Sequence, residues 1–378
     1  MKVTCLQENL SKGLSIVSRA VSTRSTLPVL ANVLLATDNG RLKLSATNLE
    51  IVITCWLGSQ VAEDGAVTVP ARTFSDLVNN LPPEPIDLTL DETTQTLNLD
   101  CKNSKSNIKG IDYHEFPLVP DPDNDGRVKV NGRILKEMIS QVAFAAATDD
   151  TRPTLTGIMT NFEESTVTMA ATDGFRLSVR KAPLDQPVPA PFQVIIPARS
   201  LNEVARVISD DMEEIFISIP EGRNQVIFDM KSVVIISQLI DGAFPDYTAV
   251  LPKKQMTRTV LNTGELIRAC KRANIFAREA SHTARIRIEA GDEITPGKTT
   301  ITATSSETGD NEAQLDASVL GDGIEIAFNV KYMIEVLNVM NTPQVAIETT
   351  TSMEPGVIKP IDEDTDFVHV IMPMHFGQ

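Results

Sequence analysis

The chain has 378 residues, room for two to four domains, with 42% apolar residues to fill cores and only 4% aromatic ones. So few aromatics exclude a groove that holds single strands by base stacking. A formal charge of −16, from 50 acidic and 34 basic residues, excludes a surface that is basic throughout and leaves room only for a local basic lining.

In chain order, residues 9 to 24 carry Leu10, Leu14, Val17 and Val21 at helical spacing, with Lys12 and Arg19 on another side and Arg24 beyond. Leu42, Leu44 and Ala46 then alternate as a strand. Residues 67 to 81, VTVPARTFSDLVNNL, read as a strand entering a helix: Phe74, Leu77, Val78 and Leu81 form the apolar face, and Thr73 with Asp76 reads as a capping pair. Alternating runs follow at 86 to 90 and 96 to 99, and Phe116-Pro117 closes this section.

The same order then recurs. A helix is expected over 131 to 144 on Leu135, Met138, Ile139 and Val142, and a strand around Val167, Met169 and Ala171. VIIPARSLNEVARVI at 194 to 208 repeats the strand-to-helix unit with Ser200 and Glu203 as a capping box, and Phe244-Pro245 closes the section. A third round brings a helix over 263 to 276, where Arg268, Lys271 and Arg272 share one face, then β-branched Thr299 to Thr304, then IAFNVKYMIEVLNVM at 326 to 340, in which Tyr332 takes the capping position. Pro70 and Pro197 are 127 positions apart, and Pro197 and Asn329 are 132 apart. Three copies at that spacing tile the chain, with 121 to 127 and 251 to 258 as linkers. The expected domains are 1–120, 128–252 and 253–378, each α+β with two helices and mainly antiparallel sheets. Arg72, Arg199 and Lys331 place a cation at the same helix entrance three times, where a helix by itself prefers an anion, which suggests a negatively charged partner.

No constellation nominates a catalyst. GDEITPGKT at 291 to 299 has five residues between its glycines where a phosphate loop has four, lies between β-like runs, and reads as a hairpin turn. DPDNDG at 121 to 126 lacks the acidic twelfth position of a calcium loop, which is Gly132 here, and reads as a linker. The four histidines and the four cysteines show no ligand spacing, so no metal and no cofactor are expected, and the thiols read as those of a reduced, cytoplasmic protein. No apolar run approaches the roughly 18 residues that span a membrane.

The threefold pattern, with Ala171-Thr172-Asp173-Gly174-Phe175-Arg176-Leu177, Asp241-Gly242-Ala243-Phe244-Pro245-Asp246-Tyr247 and the terminal Ile371-Met372-Pro373-Met374, closely resembles the bacterial DNA polymerase III beta subunits, the sliding clamps. The resemblance implies three clamp domains per chain and two chains closed head to tail into a ring, helices inside and sheets outside. Six helices side by side at ~10 Å make a circle only about 19 Å across, too narrow for a duplex roughly 20 Å wide. Twelve give about 38 Å, so a dimer can encircle DNA and a monomer cannot. The implied function is non-catalytic: encircling duplex DNA without sequence preference and keeping the polymerase on its template.

On that resemblance, Lys12, Arg19, Arg24, Arg72, Arg133, Lys136, Arg199, Arg206, Arg268, Lys271, Arg272 and Lys331 line the hole. A groove for short peptides of the polymerase III alpha subunit, the clamp loader, other polymerases and repair proteins comprises Arg152, Leu155, Thr172, Gly174, Phe175, Arg176, Leu177, Pro245, Val250, Met372, Pro373, Met374 and His375. Phe175 stands where the family often has histidine, Pro153-Thr154 replace an aromatic pair, Ala249 replaces a basic residue, and the end departs at His375-Phe376. The subunit interface sets Lys105 and Ile108 against Ile275, Phe276, Glu307 and Glu312 of the partner. Two rival readings are a ring-less monomeric peptide scaffold and a metal-dependent hydrolase built on loop carboxylates such as Asp149-Asp150 or Asp210-Asp211.

Overall fold

The computed structural model describes residues 1–22, 26–120, 126–188, 190–220, 222–252, 254–292, 295–362 and 365–374. Among them are six α-helices: α1 (Gln7–Val17), α2 (Ala71–Asn79), α3 (Gly132–Val142), α4 (Ala198–Val207), α5 (Thr263–Ala277) and α6 (Val330–Asn338). The strands pair antiparallel, so the α+β class and the two helices per repeat hold.

The helix entrances differ from expectation. α2 and α4 begin directly after Pro70 and Pro197, so Thr73 and Ser200 sit inside the first turn, past the position expected of a cap. The reason is the proline, whose fixed φ, −55° at Pro70, turns the strand straight into the helix, so that at α2 the proline itself is the N-cap and has no side-chain acceptor to offer. In α6 the cap is Asn329 rather than Tyr332: its side-chain oxygen accepts from the Lys331 and Tyr332 amides at 3.0 and 3.3 Å. α1 stops at Val17, passes through a 3₁₀ turn at Ser18–Ala20, and leaves Val21 extended, because the run Val21-Ser22-Thr23 is poor helix material. The calcium-like stretch at 121 to 125 and Arg24 lie outside the described residues.

The chain forms two compact units. The first comprises Met1–Arg133 and Glu203–Leu239. It holds a five-stranded sheet, centred on Pro85–Asp91 and edged by Ser104–Lys109, and an eight-stranded sheet. In the larger sheet Ile51–Leu57, from the first repeat, pairs with Val233–Gln238 of the second, Val233 opposite Cys55 and Ser237 opposite Ile51. α1 lies on its partner strands through Leu10, Leu14 and Val17, and Gly13 lets it approach: a Cβ there would sit 2.9 Å from the Leu57 side chain.

The second unit comprises Ile134–Asn202 and Ile240–Gln378 and is built on one twelve-stranded sheet. Here the second repeat's Arg176–Pro183 pairs with the third repeat's Phe367–Ile371, Arg176 opposite Ile371 and Ser178 opposite His369. α5 and α6 pack on this sheet through Leu266, Cys270, Ala273, Met333, Val336 and Leu337, all buried, and the small residues of α5 let the two helices close on each other. Glu289 pairs with Lys298, so Gly297 opens a strand and not the helix that follows a phosphate loop; residues 293 and 294 of this stretch lie outside the described residues. The described residues include no helix long and apolar enough to cross a membrane.

Candidate functional site

The turn from Thr172 to Arg176 lies in the second unit, where one strand ends and its neighbour begins. The Thr172 hydroxyl donates to the Arg176 carbonyl at 2.6 Å and accepts from the Gly174 amide at 3.0 Å. The Asp173 carboxylate accepts from the Phe175 and Arg176 amides at 2.9 and 3.1 Å. Gly174 has φ +93°, and a Cβ there would meet the Arg152 guanidinium at 2.8 Å, so glycine serves both the turn and the close approach. Arg152 in turn donates to the Asp173 carbonyl at 2.7 Å.

Arg176 leaves this turn pointing inward, only 8% exposed. Its Nε donates to Asp173 at 3.0 Å, Nη2 to the Phe144 carbonyl at 2.6 Å, and Nη1 to Glu335 of α6, while the guanidinium lies over the Tyr332 ring at 4.3 Å. Two carboxylates and a ring face thus compensate a buried cation, and one side chain ties the turn to α6. Behind it the fully buried His369 shares a 2.7 Å hydrogen bond with Ser178. Burial, with Arg176 alongside, pushes its imidazole down to about 3, so it stands neutral.

Beside the turn opens a cavity of about 840 Å³. Nine of the thirteen groove residues expected from sequence line it: Arg152, Leu155, Thr172, Gly174, Arg176, Leu177, Pro245, Val250 and Met372. Its floor belongs to the cluster of Met159, Leu177, Val179, Val357 and Val370, and its rim presents Val250 and Met372, 41% and 39% exposed. Phe175 projects from the turn at 60% exposure and its carbonyl accepts from the Met372 amide at 2.9 Å. Pro373 follows that rim, and the Met374 amide is drawn away to the Ala327 carbonyl at 2.8 Å. Neither lines the cavity, and His375 lies outside the described residues. Asp246, Tyr247, Lys254, Thr350, Glu354 and Pro355 line the cavity unforeseen. The Thr248 hydroxyl and amide hold the Asp246 carboxyl below the usual range. A mostly apolar trough with a few oriented polar groups fits an extended peptide with apolar anchors.

Family models cover nearly all of this chain: the DNA polymerase III beta subunit N-terminal domain matches residues 1–120, the central domain 129–246 and the C-terminal domain 248–375. The chain belongs to the DNA polymerase III beta subunit family. A Beta sliding clamp of Staphylococcus aureus is 31% identical over 383 residues, 99% of each chain. The DNA polymerase sliding clamp of Bacillus subtilis superposes over 100% of both chains with TM-score 0.92 at 29% identity. A Pseudomonas aeruginosa sliding clamp bound to griselimycin does so with TM-score 0.91 at 30% identity.

Against this family background the helix cations form a pattern. Lys12, Arg72, Arg133, Lys136, Arg199, Arg206, Arg268, Lys271, Arg272 and Lys331 all lie on the six helices and Arg19 on the adjoining 3₁₀ turn; Lys136 is half-buried and the others are exposed. Those helices carry ten cations against six carboxylates, a balance of +4, so the rest of the chain carries 24 against 44, or −20. Some cations are partly engaged: Arg19 lies 3.5 Å from Glu203, which also takes Arg206.

The residues expected at a subunit interface fall on two features. Lys105 and Ile108 belong to the edge strand Ser104–Lys109; Lys105 is exposed and 3.0 Å from Asp100, whereas Ile108 is buried. Ile275 is 57% exposed near the end of α5, and Phe276 beside it packs into the core and approaches Gly309, the first residue of the strand that carries Glu312, while Glu307 lies in the turn just before it; both glutamates are exposed. Among the described residues no three His, Cys, Asp or Glu side chains gather as a metal site.

Proposed function

We propose that the chain is a DNA sliding clamp, a non-catalytic processivity subunit that two copies close head to tail around duplex DNA. The observation that carries this reading is the family match running through all three repeats, and the inverted charge of the helices supports it physically. A net positive charge on the helices of an otherwise acidic chain attracts phosphate where the helices face it and repels DNA elsewhere, without reading sequence. The domains are 1–120, 128–252 and 253–378, and the protein works in the bacterial cytoplasm. The groove takes linear peptides of the polymerase III alpha subunit, the clamp loader, other polymerases and repair proteins, with Met372 and the exposed Phe175 and Val250 as adaptable apolar contacts.

Two sheet edges support the dimer. Among the described residues, Ser104–Lys109 pairs on one side only, with Thr96–Cys101. In Gly309–Gly321, residues 309 to 317 pair with Gly297–Ser305, and on the other side of the strand only 318 to 321 are taken. The first edge exposes Lys105 and Lys109, the second Asp310, Glu312 and Asp316. Joining such edges between copies removes an aggregation liability and brings opposite charges together.

A dilution series in small-angle X-ray scattering tests the assembly, with retention on nicked circular against linear DNA beside it. A mass near twice 41.2 kDa, a hollow profile and release on linearisation are expected. A 41.2 kDa particle at every concentration would give the monomeric scaffold its place.

A further inference from the structure

The groove beside the Thr172–Arg176 turn has a counterpart where the first repeat joins the second. There the Gln238 amide donates to the Glu50 carbonyl at 2.8 Å, as the Met372 amide does to that of Phe175 at 2.9 Å. Leu118, Val119 and Pro120 follow Phe116-Pro117 as Asp246, Tyr247 and Thr248 follow Phe244-Pro245. A hollow of about 580 Å³ opens here, with Leu118, Val119, Arg223, Gln225 and Gln238 on its wall. Leu118 is 99% exposed, more than any other large apolar side chain among the described residues. The Gln225 Oε1 is shielded from solvent yet accepts no hydrogen bond from them. Val119 packs, with Val52 and Trp56, on Ile227, Val234 and Ile236, so an apolar path leads from the hollow to the indole. Leu57 faces α1, so by strand alternation Trp56 lies on the opposite face of the sheet. The Trp56 amide donates to the carbonyl of Ser232, six residues before Gln238, which makes the path about 20 Å long. At its far end Arg41 and Lys43 lie over the Trp56 ring at 5.8 and 5.5 Å, while the indole N–H donates to Asp38 at 2.6 Å. Arg41, Lys43 and Arg223 have no carboxylate within ion-pair range among the described residues, although the chain outside its helices is strongly acidic.

We infer that this face docks an extended acidic peptide of another protein, with an apolar side chain seated against Leu118 and Val119 and carboxylates meeting Arg223 at one end and Arg41 and Lys43 at the other. The inference rests on the groove being a peptide site, since it extends that architecture to the first junction. About 20 Å is the reach of six or seven extended residues. The chemistry differs between the two junctions: Gln238 stands where the groove has Met372, and a peptide N–H supplies the donor that Gln225 lacks. Cations at both ends hold the peptide along the path. A nucleic-acid strand is the poorer fit, because one half-buried indole already covered by two cations gives bases nothing to stack on and leaves Leu118 without a partner.

Trp56 is the chain's one tryptophan, so its emission reports on this face of the intact protein without a label. The probe is the peptide Glu-Leu-Ser-Thr-Ser-Thr-Glu-Glu, used also in reverse order and with every Glu replaced by Gln. In one order the acidic peptide should shift Trp56 emission saturably and bind roughly fivefold tighter than its Gln form, in keeping with a few exposed ion pairs. That ratio should shrink in roughly 0.5 M salt and fall toward one in Arg223→Gln and in Lys43→Gln, and Leu118→Ser should weaken both forms at least about threefold. A fluorescein-labelled peptide with two adjacent leucines, followed by anisotropy on the same protein, reads the groove separately. Binding of that peptide with no Trp56 response to the acidic one overturns the first-junction site and leaves the groove standing. An equal response to the Gln form, or one untouched by Arg223→Gln and Leu118→Ser, overturns it as well. A Trp56 response to a thymidine oligonucleotide and none to the peptide replaces the proposed occupant by nucleic acid. Binding of neither peptide overturns both readings.

Discussion

The turn at Thr47 to Ile51 and the turn at Thr172 to Arg176 are the same device in two repeats. In each, a threonine hydroxyl donates to the carbonyl four residues on, Ile51 at 2.9 Å and Arg176 at 2.6 Å. In each, Asn48 or Asp173 accepts two following amides. The third position is left-handed in both, Leu49 at φ +76° and Gly174 at +93°. What differs is what the turn carries. The first ends on Ile51, buried at 5%, and the next pairing in register with Ser178 and His369 is Ile53 opposite Ile235, both fully buried. The middle turn ends on Arg176 and stands over a neutral histidine. The architecture is common property of the repeats, and the site is made by exchanging apolar pairs for a compensated polar network.

The largest test converts one turn into the other. Arg176→Ile should leave Glu335 and Asp173 without their cation and cost about 3 kcal/mol in urea unfolding, with peptide affinity falling at least about tenfold because the groove wall loses its anchor to α6. Unchanged affinity would show that the network only supports the fold.

A smaller effect separates the polar pair from its apolar counterpart. The His369 imidazole titrates near about 6.5 when unfolded and about 3 when folded. As pH falls, the unfolded chain takes up its proton first. The stability contribution is therefore complete above about pH 6.5 and is lost at about 1.4 kcal/mol per unit on the way toward 3. Urea unfolding between about pH 7 and 5 should show this slope, and His369→Gln should flatten it. An identical slope in the variant would place the proton uptake elsewhere.

The smallest acts on the first turn. Leu49 is 52% exposed in a left-handed conformation, so Leu49→Gly should relieve strain and raise stability by about 1 kcal/mol. Peptide binding should not move.

Much of this was legible in the sequence, because periodicity and register are local. The three strand-to-helix units and the apolar faces follow from short motifs, and the nine cavity residues from the family resemblance. What escaped depends on partners far along the chain. Lys254 and Glu354 reach the groove because Thr257–Asn262 pairs with Gln344–Thr349 and Arg176–Pro183 pairs with Phe367–Ile371, and no local pattern announces those ladders. The inward turn of Arg176 escaped too, since its compensation comes from Glu335, 159 residues away. The caps were misplaced for a simpler reason: Pro70 and Pro197 stand directly before the first helical residue, so the helices start ahead of Thr73 and Ser200.

The shared sheets have one more consequence. A ladder from Val233 opposite Cys55 to Ser237 opposite Ile51 binds the first repeat to the second, and another from Arg176 to Arg180 binds the second to the third. The borders between repeats are therefore borders of covalent chain alone. A polypeptide severed after Pro120 keeps its halves stitched by backbone hydrogen bonds, whereas the middle third excised whole carries away two raw strand edges. Modularity of sequence and modularity of material part company here: the repeat is the unit of inheritance, and the pair of repeats is the unit of cohesion.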